Sequence, residues 1–264
     1  DYPGLDGLDL KHREARDERF AIVEEVMGEY PVDGFELQLN QMPYFFHPNE
    51  VEAGRSIMTD WVGRVHEAVR QSGAHKELVV HIPDRFEDCL SAGLDPEEWV
   101  RWGIVDAIVP ERFGENYRLK IAADYAEYLA LTRDTDCRIL GTVNSMMASD
   151  RLQDAPIEMI RAMACNSWEQ GVDGLYVSEW FRLWPYEAGV YEKLRELPYP
   201  SIMDAKDKYY FAPTDTDSAT LNSPRDPLPR NLELDKPVEV PLKISDDLRK
   251  WGAVGRVHEV LLRL

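Results

Sequence analysis

The sequence predicts an α/β protein built on a parallel sheet, on three observations. Strand-like apolar runs alternate with helix-like runs five times, at intervals of roughly 28 to 44 residues, which is the rhythm of βα units. One of those strands, Asp33-Gly-Phe-Glu-Leu-Gln-Leu-Asn40, is two-sided. With side chains alternating at period two, Phe35, Leu37 and Leu39 pack under helices while Glu36, Gln38 and Asn40 point to the other side. Polar groups placed this way are costly unless they serve a site or a network, so the strand tilts the reading towards an enzyme. Finally, no GxGxxG or GxxxxGKS/T run follows any strand, which argues against dinucleotide and P-loop chemistry.

The elements follow in order. After a turn-rich start, 14–28 reads as an amphipathic helix through Phe20, Ile22, Val23 and Val26. The strand 33–40 leads into the aromatic loop Met42-Pro-Tyr-Phe-Phe-His47, and a helix runs from Val51 or Ser56 to Gln71. A strand over 77–82 is stopped by Pro83-Asp84. Two short helices come next, the second opened by Asp95-Pro96-Glu97-Glu98, a cap followed by proline at the first helical position. A strand over 105–109, a helix over 117–131, a strand over 138–143 and a helix over 156–170 closed by Gly171 complete the middle. A strand over 172–178 and a helix over 186–197 end the series. Five strands suffice for a flavodoxin-like open sheet, whereas a (β/α)8 barrel needs about three more units upstream.

From Pro198 the composition changes. Prolines at 198, 200, 213, 224, 227, 229, 237 and 241 punctuate short stretches, 238–244 alternates like an antiparallel strand, and 255–264 reads as another. The expected division is an α/β domain over 1–204 and a β-rich appendage over 205–264, cut off in mid-sheet.

The bulk numbers exclude some partners. With 49 acidic against 30 basic residues, the net charge of −19 leaves no positive footprint for nucleic acid or an anionic membrane. No run approaches the apolar length of a membrane span. Cys89, Cys137 and Cys165 are far apart and lack metal-site spacing, so they read as buried free thiols. The histidines show no HxH or HExxH pattern, and neither a metal nor another cofactor is expected, although His81 with nearby carboxylates keeps a hydrolase metal conceivable. No signal peptide is visible, and the chain opens on Asp1, which reads as a processed or excised piece.

Active residues of βα proteins gather at the C-terminal ends of the strands. Collecting those ends gives Glu36, Gln38 and Asn40; His81 and Asp84; Glu111; Thr142 and Asn144; and Ser178, Glu179 and Trp180. Carboxylates on different strand ends, with amides, histidine and tryptophan beside them, fit glycosidic bond cleavage. One carboxyl gives a proton while another attacks the anomeric carbon or activates water, and their environments must hold the two at different protonation. Glu36 is the first candidate; its alternative is the end of a buried network. Glu179, in Tyr-Val-Ser-Glu-Trp-Phe, competes with a lid salt bridge, Glu111 with a cap on the next segment, and Asp84 with a helix N-cap. His81 faces away from Leu78, Val80 and Ile82, as a substrate hydrogen-bonder or a satisfied core histidine. Gln38, Asn40 and Asn144 are candidate substrate-binding amides, Trp180 and Trp184 a sugar-stacking wall, and Tyr44, Phe45 and His47 a rim. Trp61, Trp99, Trp102 and Trp168 sit at helical positions and read as packing.

Three stretches, 32–46 from Val32 to Phe46, 93–110 from Gly93 to Pro110, and Gly171-Val-Asp-Gly-Leu-Tyr176, resemble a poorly characterised group of bacterial glycoside-hydrolase-like TIM barrels. The resemblance covers most of the chain. It implies a (β/α)8 barrel in which this chain supplies strands four to eight, a trailing β-sandwich, and a proton donor on the first stretch, where Glu36 stands. It also implies a secreted or periplasmic setting, with an N-terminal fragment or a homo-oligomer completing the barrel. The chain departs from the pattern in two places. Gln38, Leu39 and Gln41 stand where relatives carry an acid followed by Phe and Arg. The strand ending Thr142-Val-Asn144 lacks the acid usual on strand seven, which leaves Glu179, Glu111 or Asp84 as the second carboxylate.

The leading expectation is therefore a hydrolase of a complex polysaccharide or oligosaccharide, with Glu36 as general acid/base. The alternatives are a catalytically inactive carbohydrate-binding barrel, and a lyase or metal-dependent hydrolase acting on an acidic sugar.

Overall fold

A computed structural model describes residues 8–40, 44–111, 123–144, 146–147, 153–178, 191, 193–212, 231 and 233–262. By internal packing the chain forms two compact units, one chiefly Asp1–Glu115 with Asp124–Gly141, the other chiefly Thr142–Ser218 with Ser223–Leu264.

The first unit opens with helix α1 (Arg13–Glu29), strand β1 (Gly34–Gln38), helix α2 (Val51–Ser72) and strand β2 (Glu77–Ile82). Two short helices, α3 (Phe86–Ala92) and α4 (Pro96–Trp102), precede β3 (Ala107–Pro110), and α5 (Ala126–Thr132) precedes β4 (Arg138–Asn144). β1 pairs with β2, β2 with β3 and β3 with β4, all parallel. The register sets Glu36 beside Val79 and Gln38 beside His81, then His81 beside Val109. Side chains at partnered positions of a parallel ladder share a face. One face is apolar: Leu78, Val80, Ile82 and Ile108 have no exposure. It lies under α2, whose Met58, Val62, Val65 and Val69 recur at the spacing of one helical face and are equally sealed. Each such side chain contributes about 1.5–3 kcal/mol by leaving water. The opposite face carries the polar row.

Local chemistry sets the boundaries. The Asp95 carboxylate accepts from the Glu98 amide at 3.0 Å, and Pro96 occupies the first turn, so α4 starts where the sequence predicts. Trp61 and Trp99 pack as expected, each indole N–H satisfied, by the Arg16 carbonyl at 3.2 Å and the Thr59 hydroxyl at 3.0 Å. Trp102 does not; it is 53% exposed, on the outward side of the last turn of α4. α5 is shorter than the helix expected over 117–131: the Asp124 side chain takes the Ala126 amide at 3.0 Å and starts it there, while 112–122 lie outside the described residues. Phe46, in the loop after β1, is buried in a slot formed by glycines. A Cβ on Gly54 of α2 would come within 2.5 Å of its ring, and one on Gly93, at φ +82°, within 2.7 Å.

The second unit holds a short antiparallel pair, β5 (Met146–Met147) with β6 (Gln153–Asp154), then α6 (Ile157–Gln170), β7 (Gly174–Ser178), α7 (Pro200–Met203) and α8 (Leu248–Ala253). Gly171 ends α6 at φ 92°, the left-handed position a C-terminal glycine takes without strain. β7 follows α6 within this unit. The core of this unit gathers Ile160, Met163 and Ala164 of α6 with Val143, Leu197 and Met203, and the Trp168 indole, read as packing, donates to the Leu197 carbonyl at 2.8 Å. Of the helix expected over 186–197, Tyr191, Lys193 and Leu194 are helical, and 179–190 lie outside the described residues.

The strands expected at 238–244 and 255–264 form no ladder among the described residues. Val238, Val240, Leu242 and Ile244 alternate but stay exposed, and Pro237 and Pro241 bring no amide to a ladder. Side chains hold this stretch instead. Asn166 of α6 donates to the Lys243 carbonyl at 3.2 Å, the Tyr210 and Ser245 hydroxyls meet at 3.0 Å, and Lys208 reaches Asp246 at 2.7 Å.

Candidate functional site

The polar row of the first unit comes together at the C-terminal ends of β1, β2 and β3. Two backbone bonds carry the ladders past the strand ends: Leu39 donates to the His81 carbonyl at 2.8 Å, and Glu111 to the Ile82 carbonyl at 2.9 Å. They lock Asn40 and Glu111 beside His81, because Asn40 follows the first of these amides and Glu111 carries the second. On this framework the His81 Nε2 lies 3.3 Å from a Glu36 carboxylate oxygen and Nδ1 lies 3.4 Å from Glu111 Oε2. The Asn40 amide nitrogen reaches both the Glu111 carbonyl and its Oε2 at 3.4 Å.

Exposure grades the cluster. The His81 side chain is fully buried, that of Glu111 is 16% exposed, and that of Glu36 is 39% exposed. Glu36 is thus the end a ligand can touch; His81, Glu111 and Asn40 stand behind it. Since the Asn40 nitrogen faces two oxygens, its own Oδ1 points elsewhere, and that buried atom has no hydrogen-bond partner among the described residues. Glu36 and Glu111 each approach a different nitrogen of the ring. A buried imidazole therefore stands between the two acids, where a glycosidase pair would leave room for the scissile bond.

The remaining candidates separate. Asp84 does not cap α3, whose N-cap is Arg85 without a side-chain bond. Its charge instead bears on a buried pair, Cys89 and Tyr128, that the sequence did not suggest. The Tyr128 hydroxyl donates to the Pro83 carbonyl at 2.6 Å, and Cys89 Sγ approaches that oxygen at 3.4 Å and the hydroxyl at 3.3 Å. Burial, the largest cause, and then neighbouring charge including Asp84 push both groups well above their ordinary values, so both stay protonated. Together they anchor the turn that follows His81. The one signal for this in the sequence is that Cys89 and Tyr128 occupy inward positions of short helices.

Gln38 is exposed at the end of β1, and Tyr44 is half-buried in the loop after it. Phe45 contributes its carbonyl to the Leu10 amide at 2.9 Å, and the His47 ring accepts from the Asn49 amide at 3.3 Å to start a single 3₁₀ turn, local roles for two expected rim residues. Asn144 ends β4, its side chain outside the described part, and Glu179, Trp180 and Trp184 also lie outside the described residues. Among the described residues no group of three or more His, Cys, Asp or Glu side chains is arranged to hold a metal ion. All three cysteines are buried thiols outside any disulfide, as expected.

No family model matches the sequence, and no curated protein matches it either. Fold and site together describe a parallel α/β protein with a buried His–Glu–Glu cluster at its strand ends, an arrangement consistent with a polar active site.

Proposed function

We propose that the chain is a glycoside hydrolase in which Glu36 acts as general acid/base on a polysaccharide or oligosaccharide. The observation that carries this is the graded cluster: a reachable carboxylate at a strand end, backed by a sealed imidazole and a second, more buried carboxylate. A carboxyl that must both give and take a proton needs such a partner to hold it in place. The same reading takes the sheet as part of a (β/α)8 barrel, whose strand ends host the chemistry. Because His81 fills the space between Glu36 and Glu111, Glu111 supports Glu36, and the second working carboxylate falls to Glu179 or Asp84.

The test is turnover on a panel of aryl glycosides and soluble polysaccharides, with Glu36→Gln as control. The expected result is hydrolysis that drops about 10²–10⁴-fold in the variant while its circular dichroism and melting stay unchanged. Equal activity in both proteins overturns the assignment of Glu36.

A second reading is favoured by that filled gap: a carbohydrate-binding protein without catalysis. It holds if the wild type binds a glycan, cleaves none of the panel, and binds equally well as Glu36→Gln.

A further inference from the structure

In the second unit, the stretch from Pro237 to Ser245 carries a two-sided pattern of its own. Its even positions, Val238, Val240, Leu242 and Ile244, are apolar and all exposed, between 37% and 44%. Its odd positions are Pro237, Glu239, Pro241, Lys243 and Ser245. Each proline drives the residue before it into extended backbone, and the positive φ values of the described chain all fall outside this stretch. In extended backbone the amide and carbonyl of one residue point to the same edge, and the edge alternates along with the side chains. The odd edge is spent. Pro237 and Pro241 have no N–H to offer, the Lys243 carbonyl accepts from Asn166 of α6 at 3.2 Å, and the Ser245 hydroxyl beside it meets that of Tyr210 at 3.0 Å. The even edge keeps every N–H and C=O, and it enters no ladder among the described residues. Proteins blunt open strand edges with proline, and here the prolines blunt only the edge that is tied to α6.

We propose that the even edge is a self-association site, on which 238–244 of a second copy of the chain pairs antiparallel about Pro241. A second copy fits because the stretch is complementary to itself in one register. With Pro241 opposite Pro241, Val240 faces Leu242 and Val238 faces Ile244, apolar against apolar, at the hydrogen-bonded positions of the ladder. Pro241, Glu239 and Lys243 fall at the non-bonded positions, so the missing N–H is not felt. There Glu239 of each copy lies opposite Lys243 of the other, at the spacing where side chains come closest. Moving the centre to Val240 or Leu242 sets both charges against proline or serine. A slip that pairs even with odd positions turns the apolar row to the wrong face and brings in the spent edge. A pairing of 238–244 alone falls short of a permanent interface, so the association is weak, in the micromolar-to-millimolar range. The site does not depend on the reading of Glu36.

The test is analytical ultracentrifugation of the full chain across that concentration range, with Glu239→Lys, Lys243→Glu and an equimolar mixture of the two. The wild type is expected to dimerise reversibly. Each single variant sets like charges opposite each other twice in its own dimer, so its dissociation constant rises about tenfold or more. Mixing the two variants restores every opposite-charge pair, and the mixed dimer is expected to form about as tightly as the wild type. Leu242→Pro removes a donor from the even edge and is expected to abolish association with circular dichroism unchanged, since the residue is exposed. A wild type that stays monomeric throughout overturns the proposal, and protected Val240 and Leu242 amides in that monomer identify a strand of the same chain as the occupant. Association that ignores both charge reversals overturns it too, as nonspecific apolar contact, and so do single variants that fail to complement each other.

Discussion

The two units each bury a charged cluster, and the clusters are opposites. In the second unit the Lys208 ammonium, 1% exposed, has three donors and meets three acceptors: Asp246 at 2.7 Å, the Asp204 carbonyl at 3.2 Å and the Lys206 carbonyl at 3.3 Å. Nothing is left over. In the first unit, two carboxylates flank a sealed imidazole, and the outer end of the series is the Glu36 carboxylate, 39% exposed. A sealed cation with every donor met holds chain together; a cluster that ends in an exposed carboxylate also presents charge to solvent.

The largest expected effect is on activity. Glu36→Gln lowers turnover by about 10²–10⁴-fold while urea midpoints stay within experimental scatter, since the amide fills the same space. Loss of stability without a selective loss of activity would place Glu36 with the structural cluster. The next effect falls on the closed cluster. Lys208→Met takes the ammonium from Asp246, which keeps 17% exposure, and costs about 1.5–3 kcal/mol in urea unfolding, with any glycoside turnover unaltered below the melting transition. A change under 1 kcal/mol would show that saturation is not what makes the cluster structural.

A smaller effect tests the other closed set of the second unit, Arg161–Glu196–Lys206. Arg161 is bonded to both Glu196 oxygens, at 2.7 and 3.2 Å, and Lys206 reaches one of them at 2.6 Å. The Arg161 hydrogen bond, with help from Lys206, holds the Glu196 carboxyl below its usual range. A carboxyl lowered on folding contributes stability above its unfolded value and loses it as pH falls through the folded one. Glu196→Gln is therefore expected to be about 1–2 kcal/mol less stable at neutral pH, with the difference closing in acid below the ordinary carboxylate range. A difference independent of pH would remove the charge from the explanation. The smallest effect is Tyr128→Phe, which takes one bond from the Pro83 carbonyl and costs about 1 kcal/mol. Because that carbonyl fixes the turn after His81, the same variant is expected to broaden the His81 ring signals, and unchanged signals would detach the turn from the cluster.

The sequence made the sheet legible wherever a signal is local. β2 is the strand read at 77–82, because a β-branched run ends against Pro83. The starts of α1, α2 and α4 follow from periodicity and caps. The polar face of β1 was equally plain, and so were Glu36, His81, Glu111 and Asn40 as strand-end residues. What the sequence could not contain is the register. That His81 stands between two acids depends on the alignment of three strands distant in the chain, and a shift of one residue would turn it to the apolar face. Trp102 misled for a similar reason: helical spacing places a side chain on a face, and tertiary packing decides which face is covered. The alternation of 238–244 is a strand signal without a ladder partner among the described residues, since pairing is a property of two segments.

The slot that receives Phe46 has a consequence for how this protein can vary. Gly54 and Gly93 both yield their side chains to one ring, but they are not equivalent positions. Gly54 is inside a helix, where alanine is intrinsically favoured by about 1 kcal/mol, so a smaller residue at 46 would permit Gly54→Ala and return that energy to α2. Gly93 sits at φ +82°, and no change at 46 relieves the strain a side chain would meet there. In related chains, positions 46 and 54 should therefore exchange size in step, while position 93 stays glycine whatever the loop does.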